Sequence, residues 1–372
     1  MKTLATIRQW ANDENTTSRI LCLLDVAGSG KSTVAKHMVN EWYREGWLIA
    51  RFFFSRDTTE TMSTRLFCST ICDAFSSITR DFITHSAEFK ARPDWEHLSF
   101  EEQYEGLIAA PLRAIGRRAI LTIDALDECE DRIKLLEVIR DKQFSIPLFR
   151  TFITGRPEAD IKRWSEKLDR IRITNFQMLE GYNQDVEKYI RLRLEDMPDI
   201  QDRVVHRAEG LFIWARIACD LLVVAADIYG LLKQLEGPLE GDAKLDAIYR
   251  VALEQATPKD LPSQRAMVKV LQMILAARTP LSISELEKIS PWDKGNVVGR
   301  IVTRLGSLLL YENDQDPVRL LHTTLREFLT ARQRARIYYI QLEYGHYTLA
   351  LGSLNYLSDP SSVGTLGLIS QR

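Results

Sequence analysis

A parallel α/β fold followed by a mainly helical second half is what this chain of 372 residues predicts. Three observations carry that reading. Short apolar runs alternate with helix-period segments up to about residue 175, the runs then stop, and amphipathic helical patterns take over. Continuous apolar runs suit strands buried on both faces, and their alternation with helices suits a parallel sheet covered on either side.

In chain order, "RILCLLD" (19–25) is the first predicted strand, and "KSTVAKHMVNEWY" (31–43) the first helix after it, with Val34, Met38 and Trp42 on one face. "WLIARFFFS" (47–55) is the second strand, and a helical stretch then runs to about residue 90. "LSFEEQYEGLIAAPLRAIG" (98–116) opens on a capping box, Ser99-x-x-Glu102, which pairs a hydroxyl and a carboxylate with the free N–H groups of a helix start. "RAILTIDAL" (118–126), "PLFRTFITG" (147–155) and "RIRIT" (170–174) are the third to fifth strands. From about 176 the patterns are helical, and "LEGPLEGDAK" (235–244) reads as a linker because Gly and Pro punctuate it.

The apolar stretch 211–232 has the length of a membrane span, but Arg216, Asp220 and Asp227 interrupt it, so it reads as one buried helix of a protein with no membrane partner. Beyond the linker, three helices, the second with a Ser284-x-x-Glu287 capping box, precede a hairpin from "LLLY", "ENDQDP" and "VRLLH", which is a winged-helix pattern. The expected divisions are 1–175 (the parallel α/β core), 176–260 (helical), 261–335 (winged helix) and 336–372 (the start of a further helical segment).

A net charge of -2 offers no basic field, and the third helix of the winged-helix pattern carries only Lys294, Arg300 and Arg304. Nucleic acid is therefore not expected as a partner. Five cysteines without C-x-x-C spacing predict reduced, mostly buried thiols and a cytoplasmic protein.

The chemistry centres on "DVAGSGKST" (25–33), which sits between the first strand and its helix. Glycines there allow a tight path and let backbone N–H groups approach an anion, while the helix N-terminus adds partial positive charge. Ala27, Gly28, Ser29, Gly30, Lys31, Ser32 and Thr33 form the expected nucleotide-binding set, with Lys31 on the β- and γ-phosphates and Ser32 on Mg2+. Asp25 stands where the loop pattern has glycine. Asp tolerates left-handed backbone better than most residues, so reduced affinity at worst is expected from it.

A phosphate loop calls for a second apolar strand ending in an acid that shares the metal. "AILTIDALDECED" supplies Asp124 for Mg2+, then Asp127 and Glu128 within reach of an attacking water. "FRTFITGRP" adds Thr154 and Arg156. Should that strand lie between the other two, Arg156 would be placed to distinguish ATP from ADP.

Taken in order, "VAGSGKST", "FFFSRD", "EEQYEGLIAAPLRAI", "IDALDEC", "LFRTFITGRPEADI", "EGLFIWA" and "LLHTTLREFLT" resemble the NACHT group of STAND NTPases, in particular its fungal type. The resemblance implies a nucleotide-gated switch with ATP, ADP and Mg2+ as ligands and slow hydrolysis. It further implies a helical lid, and a winged-helix histidine, His322 here, that contacts the β-phosphate of bound ADP. Phe212 stands where the family's lid often has an adenine-contacting proline. Typical members also carry effector and sensor domains beyond the parts seen here, so the chain is expected to be either a fragment of a longer protein or a bare switch that works with effector and sensor partners, with self-association on activation. The alternative is a scaffold that holds nucleotide without turning it over, a reading that Asp25 favours. A small-molecule or nucleoside kinase is disfavoured, because such enzymes need an acceptor pocket and a mobile basic lid, and the lid region here is apolar and acidic.

Overall fold

The computed structural model describes residues 2–55, 63–165, 171–176, 182–237, 242–292 and 296–358. The chain divides into two units, residues 1–185 and 186–372.

In the first unit, helix α1 (Lys2–Asn12) leads into strand β1 (Ile20–Leu24), every residue of which is buried. The phosphate-loop segment then turns the chain into α2 (Lys31–Arg44), whose Val34, Met38 and Trp42 are buried as their spacing predicts. Next come β2 (Leu48–Phe53), α3 (Phe67–Ile78) and α4 (Arg80–Lys90). The Ser99–Glu102 capping box forms as expected and starts α5 (Phe100–Tyr104), followed by a π-turn (Glu105–Ala109) and α6 (Ala110–Ile115). Strand β3 (Ala119–Asp124) runs into a 3-10 turn (Leu126–Glu128) and α7 (Arg132–Gln143). Strand β4 (Phe149–Gly155), α8 (Ala159–Ser165) and β5 (Ile171–Thr174) follow, and α9 (Tyr182–Arg193) runs across the division, with Val186 and Ile190 in the second unit's core.

The five strands form one parallel sheet in the order β2-β3-β4-β1-β5. All residues of β1, β3 and β4 are buried, while the edge strands β2 and β5 are partly exposed. That difference is what burial on both faces requires of the central strands. Phe152 of β4 packs against Trp10 and Trp42 at ring-centroid distances of 6.4 and 6.0 Å, the second edge-on. Parallel pairing brings the carboxyl ends of β1, β3 and β4 to the same edge, with Leu24 opposite Gly155 and Ile123 opposite Ile153. The condition set for Arg156 is met, since β4 lies between β1 and β3.

The second unit contains α10 (Pro198–Ala208), α11 (Phe212–Val224), α12 (Ile228–Leu235) and α13 (Asp242–Ala256). The stretch 211–232, expected as one helix, is two. The first ends at Val224, and Asp227 caps the second by accepting a hydrogen bond from Gly230 N at 2.8 Å. Among the described residues no helix is long and apolar enough to cross a membrane. All five cysteines are free and buried.

Helices α14 (Leu261–Ala276), α15 (Ile283–Lys288) and α16 (Val297–Arg304) precede a two-stranded antiparallel pair, β6 (Leu309–Leu310) and β7 (Arg319–Leu320). Lys294 lies outside the described residues. Then come α17 (Thr323–Thr330), α18 (Arg332–Ala335) and α19 (Leu342–Ser358). A Cβ on Gly345 of α19 would lie 2.2 Å from Gln272 O, so glycine is what lets α19 close on α14.

The capping box of α15 is displaced by two residues from the expected pair. Ser282, not Ser284, caps the helix, and Glu285, not Glu287, completes the box. Glu287 is used elsewhere: its Oε1 accepts from Val298 N at 2.7 Å and Gly299 N at 3.3 Å, capping α16. Ser284 instead donates to Asp314 O. Ser282→Ala is expected to destabilise the chain by about 1 kcal/mol and Ser284→Ala by less than about 0.5 kcal/mol, read from urea unfolding midpoints.

Candidate functional site

The turn out of β1 has the backbone that an anion cradle needs. Gly28 and Gly30 have φ of 78° and 95°, and Gly30 is the N-cap of α2. Side chains rarely adopt such angles, so the glycines are required by geometry. The loop leads straight into the first turn of α2, and the N-terminus of this fourteen-residue helix would face an anion with its partial positive charge.

Asp25 is not left-handed. Positive φ among the described non-glycine residues occurs only at Ala125, Glu209, Asn296 and Arg336. The expectation that Asp25 is tolerated for its left-handed backbone is therefore corrected: this loop position does not require positive φ. Asp25 has a different task. Its Oδ1 accepts from Val26 N at 2.6 Å and its Oδ2 from Phe176 N at 2.7 Å. Phe176 is buried just beyond β5, so the carboxylate fastens the exit of that edge strand to the start of the loop. Asp25 N in turn donates to Gly155 O at 3.1 Å, joining the loop to the end of β4.

Lys31 Nζ donates to Asp25 O at 2.9 Å and Val26 O at 2.8 Å, bending back along the loop. Burial is the main cause that lowers the Lys31 ammonium to about 8; Asp127, Asp25 and Asp124 oppose the shift, and Arg156 adds to it. A desolvated cation beside two neutral carbonyls is poised to take a polyphosphate oxygen, a far better partner.

Asp124 closes the second side. Ser32 Oγ donates to its Oδ1 at 3.1 Å, and the Thr154 hydroxyl donates to the same oxygen. Thr154 Oγ1 also accepts from Ala125 N at 3.3 Å, which links the ends of β3 and β4. Burial raises the Asp124 carboxyl above its usual value, and the two hydroxyls and Lys31 act against that rise.

The serine hydroxyl beside a buried carboxylate suits Mg2+, a hard cation that takes one or two protein oxygens and fills its remaining positions with phosphate and water. Among the described residues no group of three or more His, Cys, Asp or Glu could hold a metal by itself. A divalent ion at this site would therefore need oxygens from a ligand or from water.

Asp127 and Glu128 lie in the buried 3-10 turn that follows Asp124. Asp127 Oδ1 accepts from Arg156 N at 2.9 Å, and its Oδ2 pairs with Arg156 Nε at 3.2 Å. One carboxylate thus holds both the backbone and the guanidinium of the arginine at the end of β4. Gly155 permits this, because an added Cβ there would lie only 3.3 Å from Asp127 Oδ1.

Residues 25–33, Asp124, Asp127, Glu128, Thr154 and Arg156 thus meet where β1, β3 and β4 end. His322 belongs to the second unit, where it is the N-cap of α17, its Nδ1 accepting from Thr324 N at 3.2 Å. Phe212 also lies in that unit, with its ring edge-on to Tyr189 at 6.1 Å. The bonds of Asp25 to Phe176 and of Asp127 to Arg156 were not foreseen. No local pattern announces a contact across 151 or 29 residues.

The strand order, loop and paired acid define a P-loop NTPase fold. The model of the family described as Nephrocystin 3, N-terminal, matches residues 3–156, from α1 to Arg156. No curated protein matches the chain. Among solved structures, a Walker-type ATPase of Pyrococcus abyssi is similar at 12% identity and TM-score 0.43, covering 87% of this chain and 94% of that one. Cdc6p from Pyrobaculum aerophilum is similar at 12% identity and TM-score 0.39, covering 94% and 92%. The Aeropyrum pernix ORC1 protein in complex with DNA is similar at 13% identity and TM-score 0.35, covering 90% and 92%. At these scores the likenesses carry no argument about activity.

The last of them does correct one expectation. Nucleic acid was excluded as a partner, yet a protein solved with DNA is among the similar structures, so the exclusion does not stand. The bound DNA is a fact about that neighbour.

A pH dependence follows from Lys31. Its unliganded ammonium titrates at about 8, and a bound polyphosphate raises that value. Above pH 8, binding must therefore take up a proton. Affinity for a nucleoside diphosphate is expected to be nearly flat from pH 6.5 to 7.5 and to fall by up to about tenfold per pH unit beyond pH 8. Calorimetry in buffers of different ionisation enthalpy measures both the affinity and the proton uptake.

Proposed function

We propose that this chain is a nucleotide-dependent switch of the STAND class, which binds ATP and ADP with Mg2+ at the 25–33 loop and hydrolyses ATP slowly. The observation that carries the reading is the meeting of Lys31, Ser32, Asp124 and Arg156 at one sheet edge, two of them on the phosphate loop and two on the strands beside it. The ordered NACHT-type motifs support the finer assignment, as does the three-helix and hairpin sequence of α14 to β7, read as a winged helix within a core, lid and winged-helix organisation.

When bound, Mg2+ supplies charge neutralisation at the phosphate oxygens beside Ser32 and Asp124. The loop amides and Lys31 hold the polyphosphate, and the buried edge of the sheet limits water. Glu128 is assigned to orienting or deprotonating the attacking water. Asp127 holds Arg156 at the strand end, where the guanidinium reads the γ-phosphate. From the resemblance alone, His322 is assigned to the β-phosphate of ADP. Two groups that read different phosphates give ATP and ADP unequal affinities for two conformations, which is what a switch requires.

A scaffold that binds nucleotide without turnover is the second reading. The observation in its favour is that Arg156 engages both oxygens of Asp127, so that carboxylate is set to position an arginine and not to activate water. Steady-state release of phosphate separates the two. The switch reading expects slow ATP hydrolysis that falls at least about tenfold in Glu128→Gln while nucleotide binding persists. Equal rates in the two proteins would leave the scaffold.

A further inference from the structure

The proposed contact between His322 and phosphate leaves open which ring nitrogen carries the proton, and the surrounding hydrogen bonds answer it. Tyr249 of α13 is fully buried, and its hydroxyl lies 2.6 Å from Thr324 Oγ1. Thr324 Oγ1 lies 2.8 Å from His322 Nδ1, which also accepts from Thr324 N at 3.2 Å. A backbone N–H can only donate, so Nδ1 carries a lone pair. The one proton of the Thr324 hydroxyl must then point at Nδ1, because an acceptor there would face another acceptor. With that proton committed, the contact with Tyr249 can only be Tyr249 O–H donating to Thr324 Oγ1. Burial holds the Tyr249 phenol well above its usual value, so its proton stays in place. The Tyr249 ring is itself fixed against Phe328 at 5.6 Å between centroids.

We infer that Tyr249 and Thr324 are positioning residues that hold the His322 ring in its Nε2–H tautomer, so that the neutral ring presents a donor for the diphosphate assigned to it. The direction of the chain is Tyr249 to Thr324 to His322, each hydroxyl accepting from one side and donating to the other. A donor at Nε2 binds a phosphate oxygen without the ring having to be charged. The inference rests on the proposed role of His322 for its consequence, and on the contacts at Nδ1 for the tautomer.

The test uses the full chain labelled with 15N-histidine, with His322 identified by the signal lost in His322→Gln. Long-range 1H–15N spectra at pH 8 are expected to show a protonated Nε2 and an unprotonated Nδ1 for this ring. A proton on Nδ1, or two nitrogens averaged by exchange, would overturn the relay. In Tyr249→Phe and Thr324→Val the nitrogen signals are expected to move toward the exchange average, while Thr324→Ser keeps the wild-type pattern; unmoved signals in both of the first two variants would equally overturn it. Stopped-flow release of a fluorescent ADP analogue is expected to quicken about tenfold in Tyr249→Phe, the equivalent of one hydrogen bond. A tautomer that shifts as expected, with unchanged ADP release in every variant including His322→Gln, would overturn the assignment of His322 to phosphate and leave the relay intact.

Discussion

A lysine held in a partly dry turn by two backbone carbonyls is the interaction on which the first unit's chemistry depends. Lys31 reaches back to Asp25 O and Val26 O because the loop, bent by Gly28 and Gly30, brings those carbonyls within range. Its charge is costly there, and the surrounding acids reduce the cost only in part. A site arranged this way gains from an anion and is less favourable without one. The same turn delivers Ser32 to Asp124, so the pair proposed to share a metal and the lysine proposed to bind phosphate start from consecutive residues of one helix.

The sheet turns this local device into a site. Parallel strands place all their carboxyl ends at one edge, and the insertion of β4 between β1 and β3 puts Thr154 beside Asp124 and Arg156 beside Asp127. Each end is tied to its neighbour: Asp25 N to Gly155 O, Ala125 N to Thr154 Oγ1, Asp127 Oδ1 to Arg156 N. A ligand that moves one of these atoms therefore strains the others. Asp25 extends the set to the edge strand through Phe176, which explains how a carboxylate can sit at a phosphate loop without facing the phosphate.

Much of this was legible in the residues themselves. Five apolar runs became five strands, and the faces of α2 and the Ser99–Glu102 box formed as their spacing requires. Periodicity and capping are local, so a sequence displays them directly. What failed was either a choice between equivalent local solutions or a distant pairing. In "SISELEKI" two serines each precede a glutamate by three residues, and only the tertiary demand of α16 for a cap on its own N-terminus decides that Glu287 serves there. Likewise the break after Val224 hides in a long apolar run, and the partners of Asp25 and Asp127 lie on other elements. His322 is assigned to phosphate by resemblance alone, while its link to Tyr249 depends on the packing of α13 against α17.

Calorimetric titration of the wild-type chain with ADP and ATP, in the presence and absence of Mg2+, tests the central claim most directly. The account predicts one nucleotide per chain, tightened by Mg2+ in wild type but not in Asp124→Ala, and weakened at least about tenfold in Lys31→Ala, where a charged hydrogen bond is lost. No binding of either nucleotide to the wild-type chain, or equal binding in wild type and Lys31→Ala, would contradict it.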